Sequence, residues 1–392
     1  MIYLDNAATT RLDHQAAEYM TALLAEEYGN PSSAYALGRS AKNIVESARR
    51  SAADLFRCKE NEIFFTSGGT EANNWAIIGT SLQYWSEHRI KRGHIVSTAI
   101  EHQSVLNALK LFEREGGSYT LVKPDSMGRI SPESIKKAIR KDTFLVSVIS
   151  ASNEIGTIQS IRELAEAAHE NGCLFHTDGV QAAGHIPLSL PGGDVDLFSA
   201  SAHKMYGPKG VGLLYIKDGV KIQPLLYGGM QERGRRAGTE NVTAIAGFGT
   251  ALESARMNMG DEIKRVAEMS DKLIELLSSI PGVEINGSGL EENEDMFDLF
   301  NSRLPGIVSA TIDGVRAEAL VIALDQKGVC ASTGAACATG AALPSHVLTA
   351  IGKSKEEAEN TIRFSIGKYN RMEEIEEAFG IIKECVHQIR QS

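Results

Sequence analysis

The sequence predicts an α/β protein. A large domain carries a mostly parallel sheet flanked by helices, and a smaller α+β domain follows. Three observations carry this. Short apolar runs recur through the first half, helical patterns lie between several of them, and the texture changes beyond about residue 257. A chain of 392 residues is long enough for two such domains.

Residues 38–56 read as an amphipathic helix, Ile63-Phe64-Phe65-Thr66 as a strand, and a helix follows from about Thr70. Further strand patterns stand at 94–98, 119–122, 144–149, 174–177, 197–200 and 211–216, and a helical pattern at 160–170 is typical of the connections. Ligands on sheets of this kind bind at the carboxyl ends of the strands. Residues 261–280 form a long charged amphipathic helix, followed by short strands at 283–285 and 308–312 and a last helix over 372–388. The division assigns residues 14–257 to the large domain, and 258–392 together with 1–13 to the smaller one.

The formal net charge of −10 disfavours a general nucleic-acid or anionic-membrane surface. No apolar run reaches the ~18 residues that span a bilayer, and the first residues lack a signal-peptide pattern. These features point to a cytoplasmic protein. The five cysteines, Cys58, Cys173, Cys330, Cys337 and Cys385, are scattered and form no CxxC pair, so neither a disulfide framework nor a metal site is expected.

Several chemistry-bearing residues lie at or just after predicted strand ends, Arg363 lies within a strand-like segment of the small domain, and Cys337 lies in a loop. Lys204, in Ser201-Ala202-His203-Lys204, follows a buried strand. Desolvation there favours the neutral amine, which can form a Schiff base, the chemistry of pyridoxal phosphate (PLP). Ser67-Gly68-Gly69-Thr70 joins a strand to a helix start, where backbone N–H groups suit an anion; an ordinary capped helix reads the same way. Asp178 ends an apolar strand and could pair with a protonated pyridine nitrogen, or be a solvated turn residue. His102 opens a helical pattern and could move protons near neutral pH, or simply cap the helix. Arg363 has the geometry to grip a carboxylate, or to form an internal salt bridge. Cys337 stands in a run of small residues, 332–342, which predicts a mobile loop carrying a thiol; an inert thiol is the alternative.

Taken together, Leu4-Asp5-Asn6-Ala7-Ala8-Thr9-Thr10, Gly29-Asn30-Pro31-Ser32-Ser33, Thr66-Ser67-Gly68-Gly69-Thr70-Glu71, Glu101-His102, Asn153-Glu154-Ile155-Gly156, Asp178 with Gln181, Ser201-Ala202-His203-Lys204, Arg236-Ala237-Gly238-Thr239, Ala336-Cys337 and Arg363-Phe364-Ser365 resemble the cysteine desulfurases of the NifS/IscS type, class V aminotransferase relatives of PLP fold type I. The resemblance runs through almost the whole chain. It implies a seven-stranded large-domain sheet with PLP on Lys204. Gly69, Thr70, Ser201 and His203 would hold its phosphate, Asp178 its ring nitrogen, and Gln181 and Asn153 its phenolic oxygen. His102 would stack on the ring and move protons. Arg363, with Asn30 and Asn153, would bind the amino acid. Thr239 would reach the phosphate in a neighbouring subunit, which implies a homodimer; a helix N-cap is its other reading.

The implied reaction removes sulfur from L-cysteine, leaves L-alanine and a persulfide on Cys337, and passes the sulfur to an acceptor or iron–sulfur scaffold protein, or to tRNA thiolation. A selenocysteine lyase or another PLP-dependent β-lyase, or a catalytically silent scaffold in a sulfur-transfer complex, are the alternatives. Tyr35 stands where relatives usually carry histidine, and Thr333-Gly334-Ala335-Ala336 departs from their usual Ser-Gly-Ser-Ala. Cys330 is expected to be a small buried residue.

Overall fold

The computed structural model describes residues 1–88, 92–190, 195–288, 302–334 and 344–391. In chain order, β1 (Ile2–Tyr3), α1 (His14–Glu26), α2 (Ala36–Phe56), β2 (Ile63–Thr66), α3 (Gly69–Asn74), α4 (Thr80–Glu87) and β3 (His94–Thr98) come first. Next are α5 (Gln103–Arg114), β4 (Ser118–Val122), α6 (Pro132–Ala138), β5 (Thr143–Ile149), α7 (Ile161–His169), β6 (Leu174–Asp178), β7 (Leu197–Ser201) and β8 (Gly212–Ile216). Then follow α8 (Val242–Ser278), β9 (Val283–Asn286), β10 (Ile307–Ile312), β11 (Val329–Cys330) and β12 (Thr361–Ser365), and the helix Met372–Gln391 closes the chain.

The central sheet has seven strands in the order β2-β8-β7-β6-β5-β3-β4. Only β8 runs against the others; it pairs antiparallel with both β7 and β2, while the remaining neighbours are parallel. The strands start and stop within a residue of the apolar runs in the sequence. Helices cover both faces, so the inner strands are buried along their whole length, as β7 and β8 are. The edge strand β4 is only partly buried.

On α2 the buried Ala41, Val45, Ala48, Ala52 and Phe56 recur at helical spacing. Burying Val45 and Phe56 contributes about 2 kcal/mol each. This face packs on α8 so closely that a Cβ at Gly249 would lie 2.7 Å from the Ala48 Cβ. Beside this contact, Arg49 forms a buried pair with Glu232, Nη2 to Oε1 at 2.8 Å. Glu232 also accepts from the backbone N–H of Phe65 at 2.9 Å, tying the 231–236 segment to β2.

The expected helix at 261–280 is in fact the second half of a helix that begins at Val242. Its first half is rich in alanine, glycine and phenylalanine and buried nearly all round, which erases the one-sided pattern. Val242, Ala244, Ile245, Phe248, Leu252 and Ala255 belong to the core under the large sheet. Val266, Met269, Leu273 and Leu277 belong to a second core. That core lies under the antiparallel sheet β12-β10-β9 and includes Ile2 and Leu4, because β1 pairs in parallel with β11. Cys330, in β11, is half-buried rather than fully buried.

Candidate active site

The carboxyl ends of β2, β3, β5, β6 and β7 converge on one cavity of about 590 Å³. Gly69, Thr70, His102, Asn153, Asp178, Gln181, Ser201, His203, Lys204 and Arg363 all line it. The first turn of α3 points N–H groups without intrahelical acceptors toward this space. Gly69 has no room for a side chain; its Cβ would stand 2.6 Å from Val180 Cγ2.

Asp178, at the end of β6, is buried. Its Oδ1 accepts from the Val180 N–H at 3.0 Å and its Oδ2 from Asn73 Nδ2 at 2.7 Å. The solvated-turn reading therefore fails. Lys204 follows β7 in a short 3-10 turn, Ala202–Lys204. Its Nζ donates to the carbonyl oxygens of Ala7 and, at 2.8 Å, Ala8. Gln181 Nε2 shares the Ala7 acceptor at 2.9 Å. His203 Nδ1 meets Thr9 Oγ1 at 3.2 Å; burial, with Lys204 and Lys209 nearby, pushes its pKa down to about 4, so the ring is neutral.

His102 is both the N-cap of α5 and a wall of the cavity. Its Nδ1 accepts from the Ser104 N–H at 3.1 Å and lies 2.7 Å from Ser104 Oγ. Its neighbour Glu101 is fully buried. The Thr98 hydroxyl and the Ile149 N–H both donate to Glu101 Oε1, at 2.7 and 2.8 Å, while Oε2 has no partner among the described residues. Burial outweighs these bonds and, with the charge of Asp178, pushes the carboxyl up to about 8.

Arg363 makes the internal salt bridge of one sequence reading and also faces the cavity. Its Nη2 pairs with Asp5 Oδ1 at 2.7 Å. Nη1 donates to the Asn153 carbonyl at 2.9 Å, and the buried Nε–H has no acceptor among the described residues. At the mouth, Glu71 accepts from the Ser67 N–H at 2.7 Å and holds Arg236 at 2.9 Å. Burial raises the Glu71 pKa, but these bonds outweigh it and keep the carboxyl below its ordinary value.

Two expected residues lie away from the cavity of their own chain. Asn30 is exposed, and its Oδ1 accepts from the Ser32 N–H at 2.9 Å in a local turn. Thr239 is exposed and does not cap α8; Asn241 does, accepting from the Ala244 N–H at 3.2 Å. The Asn241 side-chain oxygen sits where the helix starts and accepts the N–H three residues on. Cys337 lies outside the described residues, whereas Gly334 lines the cavity. The backbone at Ala7 and Ala8, and the side chains of Thr9, Asn73 and Ser104, are site components that sequence reasoning missed. The quoted segment 4–10 held a signal for three of them.

The residue set suits PLP. One end offers first-turn N–H groups, Ser201 and a neutral His203 for a phosphate. A buried carboxylate stands at a second point and a lysine amine at a third, with a void between them.

Comparison with known proteins agrees. The family model described as aminotransferase class-V matches residues 2–378. The cysteine desulfurase IscS of Methanosarcina thermophila is 42% identical over 389 residues, 99% of this chain and 93% of that protein. A solved NifS-like protein superposes with a TM-score of 0.89 at 35% identity, covering 99% of both chains. The structure described as SspA in complex with cysteine superposes with a TM-score of 0.81 at 31% identity, over 95% of this chain and all of that one. With a family match over nearly its full length and relatives this similar, the chain belongs to the class V aminotransferase family.

Proposed function

We propose that this protein is a cysteine desulfurase that holds PLP in the cavity around Lys204, takes the sulfur of L-cysteine onto Cys337 and releases L-alanine. The observation that carries the reading is the convergence on one cavity of the Lys204 amine, the buried Asp178 carboxylate, the α3 first turn and Arg363. It is supported by the relatives named as cysteine desulfurases and by the neighbour solved with cysteine.

Gly69, Thr70, Ser201 and His203 would bind the phosphate; Gln181 and Asn153 would face the phenolic oxygen, and Asp178 the ring nitrogen. Bound there, PLP supplies an electron sink for the bonds at the substrate Cα. Arg363 grips the substrate carboxylate, with the otherwise unpartnered Nε–H adding a donor. Asp5 and the Asn153 carbonyl fix the plane of the guanidinium. The Nζ of Lys204 takes the Cα proton, and His102 moves a proton at its ring nitrogen. The Cys337 thiolate then forms a bond to the substrate sulfur as the Cβ–S bond breaks, leaving a persulfide.

We also read the protein as a cytoplasmic homodimer that hands sulfur to an acceptor or scaffold protein, with two domains divided near residue 257. Among the described residues no helix is long and apolar enough to cross a membrane, and the described cysteines are free thiols, as a reducing compartment requires. Thr239, exposed three residues beyond the anchored Arg236, is available to a neighbouring subunit.

Adding PLP, reducing with borohydride and mapping the product by mass spectrometry tests the core of this reading. The adduct is expected on Lys204 and absent from Lys204→Ala. Absence of an adduct at Lys204, or an equal yield elsewhere in the variant, contradicts it.

A further inference from the structure

Two buried polar residues link the ends of the site. Asn73 is almost inaccessible to solvent, at 1% exposure. Both hydrogens of its Nδ2 are used: one goes to Asp178 Oδ2 at 2.7 Å, the other to Ser104 Oγ at 2.9 Å. The amide cannot be turned over, because its oxygen would then face an acceptor carboxylate. Its Oδ1 is left buried without a partner among the described residues, a cost that a side chain serving packing alone would avoid.

The directions of the remaining bonds follow. Ser104 Oγ accepts from Asn73, so its own proton is available to His102 Nδ1, 2.7 Å away. The backbone N–H of Ser104 also donates to Nδ1, at 3.1 Å. An Nδ1 that receives two donors carries no proton of its own. In a neutral imidazole the proton is then on Nε2.

We propose that Asn73 and Ser104 form a hydrogen-bond relay from Asp178 to His102 that fixes the imidazole in its Nε2–H tautomer. This goes beyond the proposed function but rests on its assignment of His102 to proton movement. Asn73 and Ser104 are positioning residues. They touch neither reacting bond, and act by deciding which ring nitrogen holds the proton. The relay also couples the two groups that flank the cofactor space. The negative charge on Asp178 orients the Asn73 amide, the amide orients the Ser104 hydroxyl, and the hydroxyl orients the ring.

The test is ¹⁵N NMR of the holoenzyme labelled at histidine, with the His102 signals assigned by their loss in His102→Gln. The parent is expected to show a bare Nδ1 and a protonated Nε2. Ser104→Ala should move the tautomer ratio toward Nδ1–H by about fivefold, the effect of losing one hydrogen bond. Ser104→Thr, which keeps the hydroxyl, should restore the parent ratio, and Asn73→Ala should reproduce part of the shift. A proton on Nδ1 in the parent, or an unchanged ratio in Ser104→Ala, would overturn the relay. Ring signals do not depend on turnover, and the Lys204 adduct is read separately, so failure of the relay is distinguishable from failure of the proposed function. If Asn73→Ala does not fold, the two Ser104 variants still decide the matter.

Discussion

Lys204 and Arg363 are positioned by the same short N-terminal segment, through the carbonyls of Ala7 and Ala8 and the carboxylate of Asp5. A few ordinary residues thus set the distance between the Lys204 amine and the Arg363 guanidinium. At Gly69 the constraint is space. Gly69→Ala would press its Cβ on Val180, and PLP affinity measured by absorbance titration should fall about tenfold or more; adding Val180→Ala should recover much of it. Glu101 makes a pH-dependent contribution with a definite sign. Its carboxyl titrates near 8 in the folded protein against 4.5 as its ordinary value. Below the lower value the side chain is protonated in both states. Between the two, the unfolded chain has lost the proton and the folded one retains it, so stability falls as pH rises. Urea unfolding at about pH 5 and about pH 8 should show a smaller loss in Glu101→Gln than in the parent, by a few kcal/mol; equal losses would contradict the buried neutral acid. Lys204, Asp178 and Arg363 were legible in the sequence because their chemistry is specific, and Asp178 and Lys204 stand at or just after strand ends. Asn73 was not, since its role comes only from a partner 105 positions away.

Among the elements, the parallel strands were the most legible, because burial writes itself as short, mostly apolar runs. The α8 helix was the least, because its first half is buried on all sides and keeps no period. The π-helical turn Trp75–Gly79 between α3 and α4 was equally silent in the sequence. The segment after β8 depends on a buried charge pair that no local pattern reveals. Arg49 and Glu232 are each nearly inaccessible, and Glu232 and Arg233 take left-handed backbone conformations, φ 45° and 59°. Arg49→Met would strand the Glu232 carboxylate in the core. Unfolding free energy measured in urea should drop by about 3–5 kcal/mol; a change within about 0.5 kcal/mol would show that the pair does not hold this segment to β2.

For the whole molecule, two cores share one helix, and the cavity draws on both. Asp178, Lys204 and His102 come from the large sheet, while Arg363 comes from β12 of the small one. The segment from Asp5 to Ala8 ties the two together, pairing with Arg363 on one side and with Lys204 and Gln181 on the other. The sulfur-accepting thiol is assigned from sequence alone, in a segment beginning just after the cavity-lining Gly334. Cys337→Ser is therefore expected to retain PLP absorbance while losing sulfur transfer. The most direct measurement is incubation of the PLP-loaded protein with L-cysteine, with alanine quantified and Cys337 examined by mass spectrometry. The account predicts alanine together with a persulfide on Cys337, and neither product from Lys204→Ala. Alanine formed at the parental rate by Cys337→Ser, or no alanine from the parent, would contradict it.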